Sequence, residues 1–138
     1  MQLQRSITLP NDVQAVPELA AFVDEVCESV QLDMALTMQM NLALEEAVVN
    51  VMDYAYPPGE KGEVHIEAKA NDEYLTFIIT DSGKPFDPTA REEVDITLSA
   101  EERGIGGLGI HLVRKLMDAI SYERIDGKNI LTLQKNIK

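Results

Sequence analysis

Pro57-Pro58-Gly59 divides the chain between two kinds of apolar repeat, and this change of period constrains the fold more than any other feature. Before it, Leu36, Met40, Leu44, Ala47, Val48 and Val51 recur at helical spacing, predicting a long helix from near Asp33 to about Ala55. After it, residues Glu63 to Ala70 and Tyr74 to Thr80 alternate polar and apolar, as half-buried strands do, with Asn71-Asp72-Glu73 as the turn between them. The rest extends this pattern. Gln2 to Leu9 reads as a strand stopped by Pro10. A first helix follows, carrying Val16, Leu19, Phe22, Val23 and Val26, with Asn11 or Asp12 placed to cap it and Pro17 early in it. Gly109 to Ala119 predicts a third helix, and Ile120 to Ile125 and Asn129 to Lys135 a closing hairpin around Asp126-Gly127. The order predicts an α+β fold, a two-layer sandwich of helices on one face of a mostly antiparallel, mixed sheet.

At 138 residues the chain fits one domain, with enough length for a core that needs no metal or disulfide. The single cysteine, Cys27, sits among apolar residues and reads as a buried, inert thiol compatible with a reducing compartment. No stretch approaches the length of about 20 apolar residues that spans a bilayer. The opening MQLQRSITLP lacks the hydrophobic run of a signal peptide, so a cytoplasmic location is expected. A net charge of −12 argues against direct nucleic-acid binding, which selects for clustered Lys and Arg. It serves solubility and also suits a basic protein partner.

From Asp81 to about Gly107 periodicity lapses, in a loop long enough to suggest a functional lid. Three elements around it are suited to chemistry. Glu46 and Asn50 project from one face of the second helix, where a carboxylate suits a general base and an amide oxygen suits Mg²⁺; an exposed polar face is the plain alternative. Asp81-Ser82-Gly83 ends a strand, where an aspartate can accept from a base's exocyclic amine and a glycine admits a ring, or the three simply turn the chain. Gly104, Gly106, Gly107 and Gly109 precede a helix, whose N–H groups could meet phosphate; a hinge is equally consistent. The cluster follows no strand, so it is not a Rossmann fingerprint, and it lacks the Gly-Lys-[Ser/Thr] ending of a P-loop. His65 and His111 are isolated and predict no metal site. Met34, Met38, Met40 and Met52 read as adaptable packing along the second helix.

The order of these elements resembles the GHKL ATPase superfamily of gyrase-type ATPases, Hsp90 chaperones, histidine kinases and MutL. Glu46-Ala47-Val48-Val49-Asn50 with Ala55-Tyr56, Asp81-Ser82-Gly83-Lys84-Pro85-Phe86-Asp87-Pro88, and Gly107-Leu108-Gly109-Ile110 with Leu116-Met117-Asp118 are similar to its anti-sigma-factor serine/threonine kinases. The resemblance covers nearly the whole chain and implies a single ATP-binding domain over 1–138 with the Bergerat fold. It implies that Glu46 orients or deprotonates the attacking hydroxyl and Asn50 holds Mg²⁺ against the triphosphate. Asp81 would recognise adenine, with Gly83 beneath the ring, and Gly107, Leu108 and Gly109 would line the phosphates. ATP and Mg²⁺ are the implied cofactors. The implied partners are a sigma factor and a STAS-type anti-anti-sigma protein phosphorylated on serine or threonine, and the implied assembly is a homodimer. Two positions depart from the pattern: Tyr54 stands where many relatives have histidine, and the nearest arginine to the lid glycines is Arg103. A non-catalytic module that uses ATP to switch partner affinity is the alternative function. The catalytic half of a histidine kinase fits less well, because no histidine precedes His65 to serve a phosphoacceptor helix.

Overall fold

In a computed structural model, which describes residues 2–57, 59–90 and 107–138, the alternating segments form one five-stranded sheet. The strands are β1 (Leu3–Pro10), β2 (Glu63–Ala70), β3 (Tyr74–Asp81), β4 (Ala119–Ile125) and β5 (Lys128–Asn136), in the spatial order β1-β2-β3-β5-β4. Every pairing among them is antiparallel, so the sheet is not mixed as expected. The reason lies in the final hairpin. β4 runs in the same sense as β3, but β5 returns between them and separates the two strands that would have paired in parallel. The hairpin turns at Asp126 and Gly127, both with positive φ (52° and 78°), the conformation that Asp-Gly favours in two-residue turns.

One face of the sheet is apolar by register. Ile66 pairs with Ile79, Ala68 with Phe77 and Ala70 with Leu75, and these side chains are buried. On that face lie the helices α1 (Val16–Ser29), α2 (Met34–Tyr54) and α3 (Gly107–Leu116). Asp12 caps a single 3-10 turn, Val13–Ala15, by accepting from Gln14 N at 2.9 Å, and α1 continues from that turn with Pro17 in its opening positions. Asp33 caps α2, its Oδ1 accepting from Leu36 N at 2.8 Å. α3 opens two residues before the expected Gly109, because first-turn N–H groups have no intrahelical partner and glycines are tolerated there. It stops at Leu116, and by Asp118 the backbone already bonds to β5 (N to Gln134 O, 2.9 Å). Among the described residues no helix is long and apolar enough to cross a membrane.

The core lies between layers, with Leu19, Val23 and Val26 of α1, Leu44 and Val48 of α2, and Ile110 and Val113 of α3 buried over Phe77 and Ile79. Cys27 is fully buried, and desolvation pushes its thiol up to about 11, so it stays protonated and unreactive at neutral pH. The methionines divide. Met40 and Met52 are buried as expected, but Met34 and Met38 are exposed, sharing the outer face of α2 with Leu42.

Phe77 is buried on the central strand, and Phe77→Ala is expected to destabilise the fold by about 3–5 kcal/mol in urea unfolding. Asp33→Ala, which removes the α2 cap, is expected to lower stability by about 1 kcal/mol in the same measurement.

Candidate nucleotide-binding site

The chemistry-bearing residues converge where the C-terminal end of α2 meets the end of β3 and the start of β5. Antiparallel register sets Asp81 opposite Asn129, both on the helix-covered face and both 3% exposed. Asp81 Oδ1 accepts from Gly83 N at 2.8 Å and from Asn129 Nδ2 at 2.9 Å. The backbone then turns against the end of α2: Lys84 N donates to Ala55 O at 2.8 Å. Glycine is required at 83 because a Cβ there would lie 2.3 Å from the Ala55 carbonyl oxygen, a backbone atom with little freedom to retreat. Tyr56 ties the same turn to β2, its hydroxyl donating to Glu63 O (2.8 Å) and accepting from Ser82 N (3.0 Å). From β4, Arg124 Nη1 donates to Gly83 O at 2.8 Å.

One turn before its end, α2 carries Asn50, buried to 7% exposure, with Glu46 half-buried on the same face. Among the described residues neither side chain has a hydrogen-bond or ion-pair partner. The Asn50 amide is not among the sealed, unsatisfied polar atoms of the described residues, so it remains open to a contact from outside the protein. Its oxygen, with a carboxylate one turn away, is the hard donor set that Mg²⁺ takes. Among the described residues there is no cluster of three or more His, Cys, Asp or Glu fit to hold a metal. A cation held by one or two protein oxygens would be completed by phosphates and water.

Gly107, Leu108 and Gly109 form the first turn of α3, where free backbone N–H groups favour an anion. Arg103, Gly104 and Gly106 lie outside the described residues. Beyond the turn, Asp87 Oδ1 accepts from Thr89 N at 2.8 Å and from its hydroxyl, while Arg114 of α3 donates to Thr89 O. Tyr54 stacks obliquely on Phe86 with ring centres 5.4 Å apart.

Burial raises the Asp81 pKa from its ordinary value, while the bonds from Asn129 and Gly83 N and the charge of Arg124 offset part of that rise. Sequence reasoning singled out Asp81 but not Asn129, Tyr122 or Arg124. Asn129 left one signal: it shares strand parity with the buried Leu131 and Leu133, a polar residue in an apolar row.

An antiparallel sheet roofed by helices, with a buried aspartate and a glycine turn at the end of a central strand, defines a nucleotide-binding α+β domain. The chain matches the histidine kinase-like ATPase domain family over residues 9–135. The serine/threonine-protein kinase BtrW of Bordetella bronchiseptica is 33% identical over 98 residues, which span 71% of this chain and 69% of that protein. The serine-protein kinase RsbW of Listeria monocytogenes is 30% identical over 96 residues, 67% of this chain and 61% of that protein. The crystal structure of the RsbU and RsbW domains of Rv1364c from Mycobacterium tuberculosis shares the fold, with a TM-score of 0.67 at 18% identity, over 96% of this chain and 32% of that one. The chain thus belongs to the histidine kinase-like ATPase family, within the GHKL branch of RsbW- and BtrW-like serine-protein kinases that its motifs resemble.

Gly83→Ala is expected to lose about 1–3 kcal/mol in urea unfolding through overpacking against Ala55. Calorimetry should show it binding ATP more weakly as well; undiminished ATP affinity would mean that this turn does not shape the site. An ionised carboxylate is a stronger acceptor than a carboxylic acid, and the raised pKa of Asp81 means it is protonated at a higher pH than an exposed aspartate. ATP affinity is therefore expected to fall on acidification at a higher pH than an unshifted aspartate would give, and Asp81→Asn to flatten that fall. The stability contribution has the opposite sense: it is fully present below the unfolded-state value of 3.8 and is lost as pH rises through the folded value.

Proposed function

We propose that the chain is an ATP-dependent serine/threonine-protein kinase of the anti-sigma type, whose substrate is a hydroxyl of a small STAS-domain anti-anti-sigma protein. The observation that carries this reading is the pairing of Asn50 and Glu46: two oxygen donors one turn apart on one face of the helix that ends at the Asp81–Gly83 turn. In this reading Asp81 accepts a hydrogen bond from the exocyclic amine of adenine, and Gly83 leaves room for the ring. Asn50 offers its amide oxygen to Mg²⁺, and the first-turn N–H groups at Gly107, Leu108 and Gly109 face phosphate oxygens. Arg103, the arginine nearest the lid glycines in the sequence, is proposed as a further contact to the nucleotide. Mg²⁺, held in part by Asn50, would supply positive charge against the triphosphate. Glu46 takes the proton from the attacking serine or threonine hydroxyl as its oxygen bonds to the γ-phosphorus, and ADP leaves. Phosphoryl transfer asks little more of a protein than positioning and charge stabilisation, so this short inventory suffices.

The domain is proposed to comprise residues 1–138 as one unit, to work in the cytoplasm as a homodimer, and to hold a sigma factor as its second partner. The charge of −12 suits a basic face on at least one of those partners.

The test is transfer of label from γ-labelled ATP to a STAS protein encoded beside this chain. Wild type is expected to label it on serine or threonine. Glu46→Gln is expected to slow transfer by about 10²–10⁴-fold while still binding ATP. Tight ATP binding by wild type with no labelled partner would replace the kinase by a nucleotide-gated binding module. Wild-type rates in E46Q would remove Glu46 as the base.

A further inference from the structure

We infer that Asn129, anchored by Tyr122, is a positioning residue that holds Asp81 as a hydrogen-bond acceptor and thereby makes the site select a 6-amino purine over a 6-oxo purine. The inference rests on the nucleotide reading above and extends it to two residues that touch no ligand in that reading.

Asn129 spends its whole hydrogen-bonding capacity inside the protein. A primary amide has two N–H donors and an oxygen with two lone pairs. Here Nδ2 donates to Asp81 Oδ1 at 2.9 Å and to Lys84 O at 2.8 Å. Oδ1 accepts from Phe86 N at 3.2 Å and from the Tyr122 hydroxyl. With all four positions filled, no capacity remains for a nucleotide, so the residue acts through Asp81.

The orientation of the amide is not a free choice. The Phe86 N–H can only donate and the Lys84 carbonyl can only accept, so the oxygen must face Phe86 and the nitrogen must face Lys84. Turning the amide over would set N–H against N–H and oxygen against oxygen in a buried site. The nitrogen is thereby committed to Asp81.

At Asp81, Asn129 and Gly83 N both address Oδ1, and donors aimed at a carboxylate favour its ionised, acceptor-only form. That leaves Oδ2 to meet a ligand. An acceptor there matches the N–H of a 6-amino group and opposes the lone pairs of a 6-oxo group. A site built on such a bond rejects the analogue that cannot make it, because a buried polar group is left unpaired.

Tyr122 supplies the stiffness. Without its hydroxyl, Asn129 Oδ1 would retain only the 3.2 Å bond from Phe86 N. Tyr122 shares its strand parity with Arg124, which holds Gly83 O, so edge strand β4 braces the recognition turn at two points.

The experiment compares ATP with ITP, which differ at the purine 6-position and share ribose and triphosphate, by calorimetry on wild type and Tyr122→Phe. Wild type is expected to prefer ATP. Y122F is expected to weaken ATP by about five- to tenfold, the effect of one lost hydrogen bond, with a smaller change for ITP, so that the preference contracts. A general structural role would weaken both nucleotides together and leave the ratio alone; that result overturns the inference. If Y122F does not fold, Asn129→Ser, which loses the grip on Lys84 and Phe86, is read by the same ratio. A wild-type protein that binds both nucleotides equally would overturn the adenine reading of Asp81 itself. Normal preference with an unchanged ratio in the variants overturns only the role of Tyr122 and Asn129.

Discussion

The antiparallel register that sets Asp81 against Asn129 joins the sheet to the site, and most of the surrounding geometry follows from it. Two polar side chains on the helix-covered face, both 3% exposed, would be a liability in an apolar layer. They are tolerated because each satisfies the other, and because the backbone beyond β3 folds over them. Lys84 O and Phe86 N both bond to Asn129, so the path of the chain after β3 is dictated by the amide beneath it. Slipping β5 by one residue would turn Asn129 to the open face and free the turn from its anchor.

A second constraint comes from the helical layer. α2 ends at Tyr54, and its next carbonyl, that of Ala55, accepts from Lys84 N while leaving no space for a side chain at residue 83. Helix end and turn thus fix each other's position. Asn50 lies one turn back from that junction, so the separation between the Asp81 carboxylate and the Asn50 amide is set by two rigid elements instead of by a loop. Such support is what a site needs when its work is positioning. Tyr56 adds a third tie, from β2 to Ser82, and Arg124 a fourth, from β4 to Gly83.

Much of this was legible in the residues, and the exceptions have physical causes. Strong periodicity located α2 and strands β2 and β3 closely, and Pro57-Pro58-Gly59 marked the boundary between them. Met34 and Met38 were misread because spacing of four residues marks a face without saying which way the face points; here it points outward. The sheet was expected to be mixed because local patterns do not say which strands become neighbours. Asn129 escaped notice because a lone asparagine after a turn has an ordinary local explanation, and its importance depends on a partner 48 residues away.

What the sequence alone determined was the α+β class; it also nominated Glu46, Asn50, Asp81, Gly83 and the glycine cluster as candidates for chemistry. Those conclusions rest on local physics: apolar period, turn propensity, and the ordered motifs that carry the family resemblance. Only the tertiary structure decided how Asp81 is held, why residue 83 must be glycine, and that Tyr122 and Arg124 belong to the site's support. Strand order and register bring together residues far apart in the chain, and no local pattern encodes the hydrogen bonds that form once they meet.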